Sequence, residues 1–159
     1  MITVRTDPTL LDLLGVCINL PMDEREQYEA LNGVPYDPDA LAYEAWGWSG
    51  PRWAGYDSNG LPVVVGGLIR MRPGVFRTWF FATADAWSKY GRDVTRATRQ
   101  IIAAALTESG GAHRIETVAL ASREAACRWY QALGLRQEST LKKYGVNGED
   151  AVLFVGLRE

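Results

Sequence analysis

Apolar and polar positions follow two periods along this chain, and the places where the period changes mark its elements. Ile2–Arg5 alternates and predicts an edge strand, stopped by Asp7-Pro8. Leu10, Leu11, Leu13 and Leu14 then read as a helix that Gly15 ends. Asp23 and Glu24 open a polar helix through Leu31, closed by Asn32-Gly33, and Asp37-Pro38 caps a short helix over Asp39–Trp46. Period two returns in Arg52–Asp57 and Pro62–Arg70, joined by the turn Asp57-Ser58-Asn59-Gly60. Pro73-Gly74 makes a second turn, and the aromatic-rich Val75–Thr83 reads as a central strand. In Asp93–Glu108, Val94, Ala97, Ile101 and Ala104 recur at helical spacing until Gly110-Gly111. Arg114–Ala121 alternates and leads into an amphipathic helix over Arg123–Leu133. Glu138–Tyr144 and Ala151–Leu157 predict a closing hairpin over Asn147-Gly148. Strands and helices interleaved in this way predict an α/β (α+β) domain.

Composition narrows the function classes. At 159 residues the chain predicts one domain, 1–159, large enough to bury a core without staples. A net charge of −2 gives no reason to expect nucleic acid as the main partner. Cys17 and Cys127 are far apart and His113 is the single histidine, which argues against a disulfide framework or a zinc site. No apolar run is long enough to span a bilayer and the first residues lack a signal-peptide core, so the expectation is a soluble cytoplasmic protein with no membrane partner.

The richest stretch is the last third, where Arg114–Ser122 (RIETVALAS) runs into Arg123–Leu135 (REAACRWYQALGL). Ala126, Tyr130, Leu133, Gly134 and Leu135 resemble the Ala-x-x-x-Tyr-x-x-Leu-Gly-Phe pattern of the Gcn5-related N-acetyltransferase (GNAT) superfamily, and the order of elements is similar over essentially the whole chain. The resemblance implies a mixed central sheet with helices on both faces, acetyl-CoA as cofactor and an amine acceptor whose identity the sequence leaves open. It implies catalysis at Tyr130, whose phenol could protonate a departing thiolate. Ordinary core packing of Trp129 and Tyr130 remains the other reading. The superfamily binds the cofactor's diphosphate where the fourth strand meets the long helix, through backbone N–H groups and small residues. The resemblance therefore implies a cofactor-binding set of Thr83, Lys89, Tyr90, Gly91, Arg92, Asp93 and Arg96. Gly91 matches the pattern there; Ser88 stands where Gln or Arg is usual, Asp93 replaces a small residue, and Arg123 replaces an asparagine. Asp93 reads equally as a helix cap. No carboxylate lies on Val75–Thr83, so a general base has only Glu44, Asp57 and Glu116 as sequence candidates; His113 reads as a loop residue. Tyr43, Trp46, Trp48, Trp53 and Tyr56 could line an acceptor pocket, form an interaction surface or fill the core.

Trp79-Phe80-Phe81-Ala82-Thr83, Trp87 and Gly91, with Leu61, Pro62, Gly66 and Gly67 before them, are also similar to the GNAT-like small proteins of tailed bacteriophages, which include an internal virion protein of short-tailed phages. This second resemblance implies phage or host proteins as partners and a place in the host cytoplasm or the virion. The two resemblances imply two functions, an acetyl-CoA-dependent N-acetyltransferase or a non-catalytic virion or assembly protein that keeps the fold to bind other proteins; a third reading is a host-directed phage acetyltransferase acting on a bacterial protein or a nucleobase amine.

Overall fold

In chain order the computed structural model, which describes residues 1–159, contains β1 (Thr3–Arg5), α1 (Leu10–Ile18), α2 (Met22–Asn32), α3 (Pro38–Gly47), β2 (Arg52–Tyr56), β3 (Pro62–Arg72), β4 (Val75–Ala82), α4 (Ala84–Ala105), β5 (Arg114–Leu120), α5 (Glu124–Ala132), β6 (Arg136–Leu141) and β7 (Ala151–Leu157). Local chemistry explains most boundaries. Thr9 and Asp12 form a reciprocal capping box that starts α1. Asp37 accepts from the Asp39 and Ala40 amides, with Pro38 in the first turn, and starts α3. Gly33, at φ 73°, ends α2 in the left-handed conformation that glycine adopts without strain. Beyond α4, a Cβ on Gly110 would strike the carbonyls of Ala104 and Ala105, so the chain can fold back there only on glycine.

Three sequence expectations are corrected. Gly15 does not end α1, which continues to Ile18; a Cβ at Gly15 would meet only Pro62 Cγ at 3.4 Å, so a glycine is tolerated inside the helix. The long helix begins at Ala84 rather than Asp93, because Thr83 caps it by accepting from the Ala86 amide at 3.2 Å. Strand β6 begins at Arg136, two residues before the expected Glu138.

One seven-stranded sheet runs in the order β1-β2-β3-β4-β5-β7-β6. Every neighbouring pair is antiparallel except β4–β5. That parallel pair is short: Val75–Arg114, Phe76–Ile115 and Arg77–Glu116 match, and beyond them the strands part. Strand β4 stays paired with β3 along its whole length, and β5 with β7. The sheet therefore opens into a fork at its centre.

Helices cover both faces, as strand alternation requires. On one face Leu13, Val16 and Cys17 of α1 and Leu41, Ala42 and Ala45 of α3 pack on Ala54, Tyr56 and Val65. On the other, Ala86 and Val94 of α4 meet Trp53, Val63 and Val64, and Ile102 meets Ile115, Leu133 and Phe154. Trp79 and Phe81 of β4 thus face α1 and α3, whereas Phe80 faces α4 and α5.

Candidate active site

The fork is the floor of a cavity of about 890 Å³ that passes through the sheet. Thr78 and Thr117, the first residues past the parallel pairing, both line it. On one face its wall is Phe80, Trp87, Trp129 and Tyr130; on the other it is Tyr28, Leu41, Trp48, Trp79 and Phe81. These β4 aromatics are only half-buried despite their central strand, because one side of each ring meets the cavity. Phe80, Trp87 and Trp129 form a closed triad with centroids 4.6–5.6 Å apart. The Trp129 indole donates to Thr95 at 3.0 Å, which fixes its orientation.

Helix α2 lies across the fork, held by polar contacts. Asp23 accepts from Arg123 Nη2 at 2.8 Å, Glu24 from Trp87 Nε1 at 3.2 Å, and Gln27 from the Leu120 amide at 3.0 Å. Positions 23, 24 and 27 share one side of a helix, so a single face reaches α4, β5 and α5 together. Only Ala30 of α2 is buried. Polar bonds, rather than an apolar stripe, therefore set where this helix sits.

Glu24 is the electrostatically unusual group. Burial pushes its carboxyl up to about 7, although the Trp87 N–H, the Arg123 charge and the Ala82 amide all favour the charged form. Tyr130 is also raised, chiefly by burial, with the Thr117 hydroxyl beside it acting in the opposite sense. Its ring packs between Trp129 and Phe154, at 5.3 and 5.4 Å. Arg123 has a buried Nε without a hydrogen-bond partner in the chain.

Neither a protein-family model nor a curated protein sequence matches the chain. Solved structures do. An acetyltransferase of the GNAT family from Bacillus anthracis is 12% identical, covers 99% of this chain and 95% of its own, and superposes with a TM-score of 0.73. A variant of the spermidine N-acetyltransferase SpeG from Vibrio cholerae is 15% identical, with 98% and 95% covered and a TM-score of 0.73. An N-acetyltransferase from Staphylococcus aureus Mu50 is 16% identical, with 100% and 99% covered and a TM-score of 0.68. The chain has the GNAT fold.

Within that fold the residues singled out from the sequence separate. Tyr130 lines the cavity, and so does Glu44. Thr83 caps α4. Lys89, Tyr90, Gly91, Arg92, Asp93 and Arg96 lie inside α4, and none lines the cavity. The backbone cradle expected at Gly91 is corrected: amides that far into a helix are committed to its own hydrogen bonds. Asp93 does not cap the helix either; it pairs with Arg96 at 3.8 Å, while Lys89 pairs with Asp85 at 2.8 Å. Asp57 accepts from the Asn59 and Leu61 amides in its turn, and Glu116 pairs with Arg114 and Arg77, so both are structural. His113 caps the β4–β5 edge beside Gly74, away from the cavity. Of the aromatic group between Tyr43 and Tyr56, only Trp48 reaches the cavity; Trp53 and Tyr56 of β2 are core, and Tyr43 and Trp46 are exposed. Sequence reasoning missed Glu24, Gln27, Trp87 and Trp129. The available signal was α2 itself, a helix too polar to be held by a hydrophobic face.

Proposed function

We propose that this protein is an acetyl-CoA-dependent N-acetyltransferase acting on an amine. The observation that carries this reading is the through-sheet cavity at the β4–β5 fork, where Glu24 and Tyr130 lie on its wall. The likeness to acetyltransferase structures supports it at the level of the fold.

The chain's residues fit the reacting end of acetyl-CoA well. Beyond Arg77, β4 has no partner on its β5 side, and the aromatic triad gives the slot an apolar lining suited to a slender acyl-pantetheine arm. At the diphosphate end, Thr83 and the first-turn amides of Ala84 and Asp85, which have no acceptor within α4, would hold the anion. Lys89 partly neutralises Asp85 there. When bound, acetyl-CoA supplies an activated acyl group whose thioester C–S bond breaks as the amine N–C bond forms.

Glu24 serves as the proton acceptor. A carboxyl at about 7 is a stronger base than an ordinary glutamate and still ionises near neutrality, so it can take a proton from an ammonium group in the cavity. Tyr130 keeps its proton on Oη at neutral pH, because burial raises it further above an already high value, and it can donate to an anion developing in the fork. Apolar walls limit the water around both groups, and a donor and an acceptor entering the fork from opposite faces of the sheet would meet there for direct transfer. The test is acetyl transfer to a panel of amines. Turnover lost in both Glu24→Gln and Tyr130→Phe supports the assignment, and full turnover in both removes it.

One observation favours a second reading, a non-catalytic virion or assembly protein. Only Thr83 separates β4 from α4, so there is no glycine-rich loop of the kind the superfamily places at the diphosphate. The similarity of the spaced aromatics and glycines to tailed-phage proteins belongs with that reading.

A further inference from the structure

On the α3 side of the cavity we infer an acceptor subsite for a primary ammonium group borne on an apolar or aromatic body that carries no carboxylate. This inference rests on the acetyltransferase reading and names its substrate class.

The wall of the cavity carries charges of both signs. Its two cationic residues each already face a carboxylate: Arg77 meets Glu116 at 3.5 Å, a carboxylate it shares with Arg114, and Arg123 pairs with Asp23 at 2.8 Å through Nη2, its buried Nε remaining without a partner. Glu124 pairs with Arg128 at 3.4 Å. Glu24 and Glu44 remain as carboxylates without an ion-pair partner. Glu44 stands on α3 beside the Tyr28 hydroxyl, and burial together with this carboxylate holds that phenol above its ordinary value. The free charge of the cavity is therefore acidic. A carboxylate on the ligand would have to compete with Asp23 and Glu116 for the two arginines and would meet the unpaired Glu24 and Glu44, which disfavours it.

The rings next to Glu44 fix the rest of the ligand. Trp48 stands edge-on to Trp79 with centroids 5.2 Å apart, Trp79 is 5.3 Å from Phe81, and Trp48 is 6.4 Å from Phe81. All three are half-buried on the cavity wall, so they leave ring surface for a ligand. Ring faces are electron-rich and attract cations, and rings and edges together receive an apolar body. The cluster is pre-set by its neighbours. A Cβ on Gly67 would lie 2.6 Å from Trp79 Nε1, so the bare glycine lets the indole lie flat on β3. Arg52 donates to the Trp46 and Trp48 carbonyls at 2.9 and 3.2 Å and fixes the end of α3. A rigid aromatic wall with a free carboxylate beside it selects an arylalkylamine or a similar apolar amine over amino acids, and over polyamines, whose short methylene linkers cover less ring surface than an aryl body.

The test is calorimetric titration of the whole chain, without acetyl-CoA, using 2-phenylethylamine as the probe. Phenylalanine supplies the same body with a carboxylate, 2-phenylethanol supplies it without the cation, and spermidine supplies cations without the body. The expected result is saturable binding of phenylethylamine, with each comparison ligand weaker by about tenfold or more. Glu44→Gln, an exposed substitution that leaves the core intact, should weaken phenylethylamine by about two- to fivefold and leave phenylethanol unchanged. Equal binding of phenylalanine, tighter binding of spermidine, no saturation by phenylethylamine, or an unchanged Glu44→Gln would each overturn the inference. The readout needs no acyl transfer. If phenylethylamine fails while acetyl-CoA binds, the subsite alone is lost; if phenylethylamine binds while acetyl-CoA does not, the acetyltransferase reading is the one that fails.

Discussion

Replacing Glu24 by glutamine should make the protein more stable, but only above a definite pH. The carboxyl titrates at about 7 in the folded chain against 4.5 in its ordinary state. Folding thus disfavours the charged form. The associated stability is fully present below pH 4.5, declines as pH rises, and is gone once pH has passed about 7. Each pKa unit corresponds to about 1.4 kcal/mol, so the ceiling of this effect is about 3.5 kcal/mol. Water in the open cavity shields the charge and reduces the expected figure to roughly 1–2 kcal/mol. Glutamine keeps an acceptor oxygen for the Trp87 indole, now 3.2 Å from Glu24, and never ionises. Denaturant unfolding of both proteins from acid to alkaline pH measures the difference directly. Near pH 4.5 the two curves should nearly coincide; at pH 8 the Glu24→Gln protein should be the more stable by that amount. A constant difference across the range, or a wild type that gains stability relative to the variant as pH rises, refutes the burial argument and with it the assignment of Glu24 as base.

Other substitutions test other parts of the account. Tyr130→Phe removes one hydroxyl and keeps the ring between Trp129 and Phe154, so melting should change little while turnover falls by about 100- to 10,000-fold in an acetyl-transfer assay. Gly91→Ala should stabilise the fold by about 0.5–1 kcal/mol in denaturant unfolding, since Gly91 lies inside α4 and a Cβ there meets nothing within 4 Å; destabilisation would show that the helix does not run through this residue. Gly67→Val should force the Trp79 indole off β3, lowering stability by about 1–3 kcal/mol and shifting tryptophan emission.

The course of the chain was largely readable because its boundaries rest on local chemistry. Asn32-Gly33, Asp37-Pro38 and the Asp57–Gly60 turn act within a few residues of themselves, and the structure uses all three as expected. The start of α4 misled for an equally local reason. Gly91 and Asp93 look like a break and a cap, yet an interior glycine costs a helix only about 1 kcal/mol, and the Thr83 hydroxyl already supplies a cap ten residues earlier. Tyr130 was legible through its spacing to Gly134, whereas Glu24 was not. In a run as acidic as Asp23-Glu24-Arg25-Glu26, nothing local separates the glutamate that is buried from those that are solvated. Its environment comes from Trp87 and Arg123, 63 and 99 residues away along the chain, and from the fork that α2 happens to cross. The aromatic wall was legible only in part: Trp48 stood among the candidates for an acceptor pocket, but nothing local singled it out from Tyr43, Trp46, Trp53 and Tyr56 or joined it to Trp79, whose ring the fold brings to 5.2 Å from it.

The central claim is that the β4–β5 fork receives an acyl-CoA. Calorimetric titration of the intact chain with acetyl-CoA tests it most directly, because binding is read whether or not the right acceptor amine is at hand. The account predicts saturable one-to-one binding with a micromolar dissociation constant. Absence of binding at millimolar acetyl-CoA would contradict it and leave the fork as a protein-binding cleft.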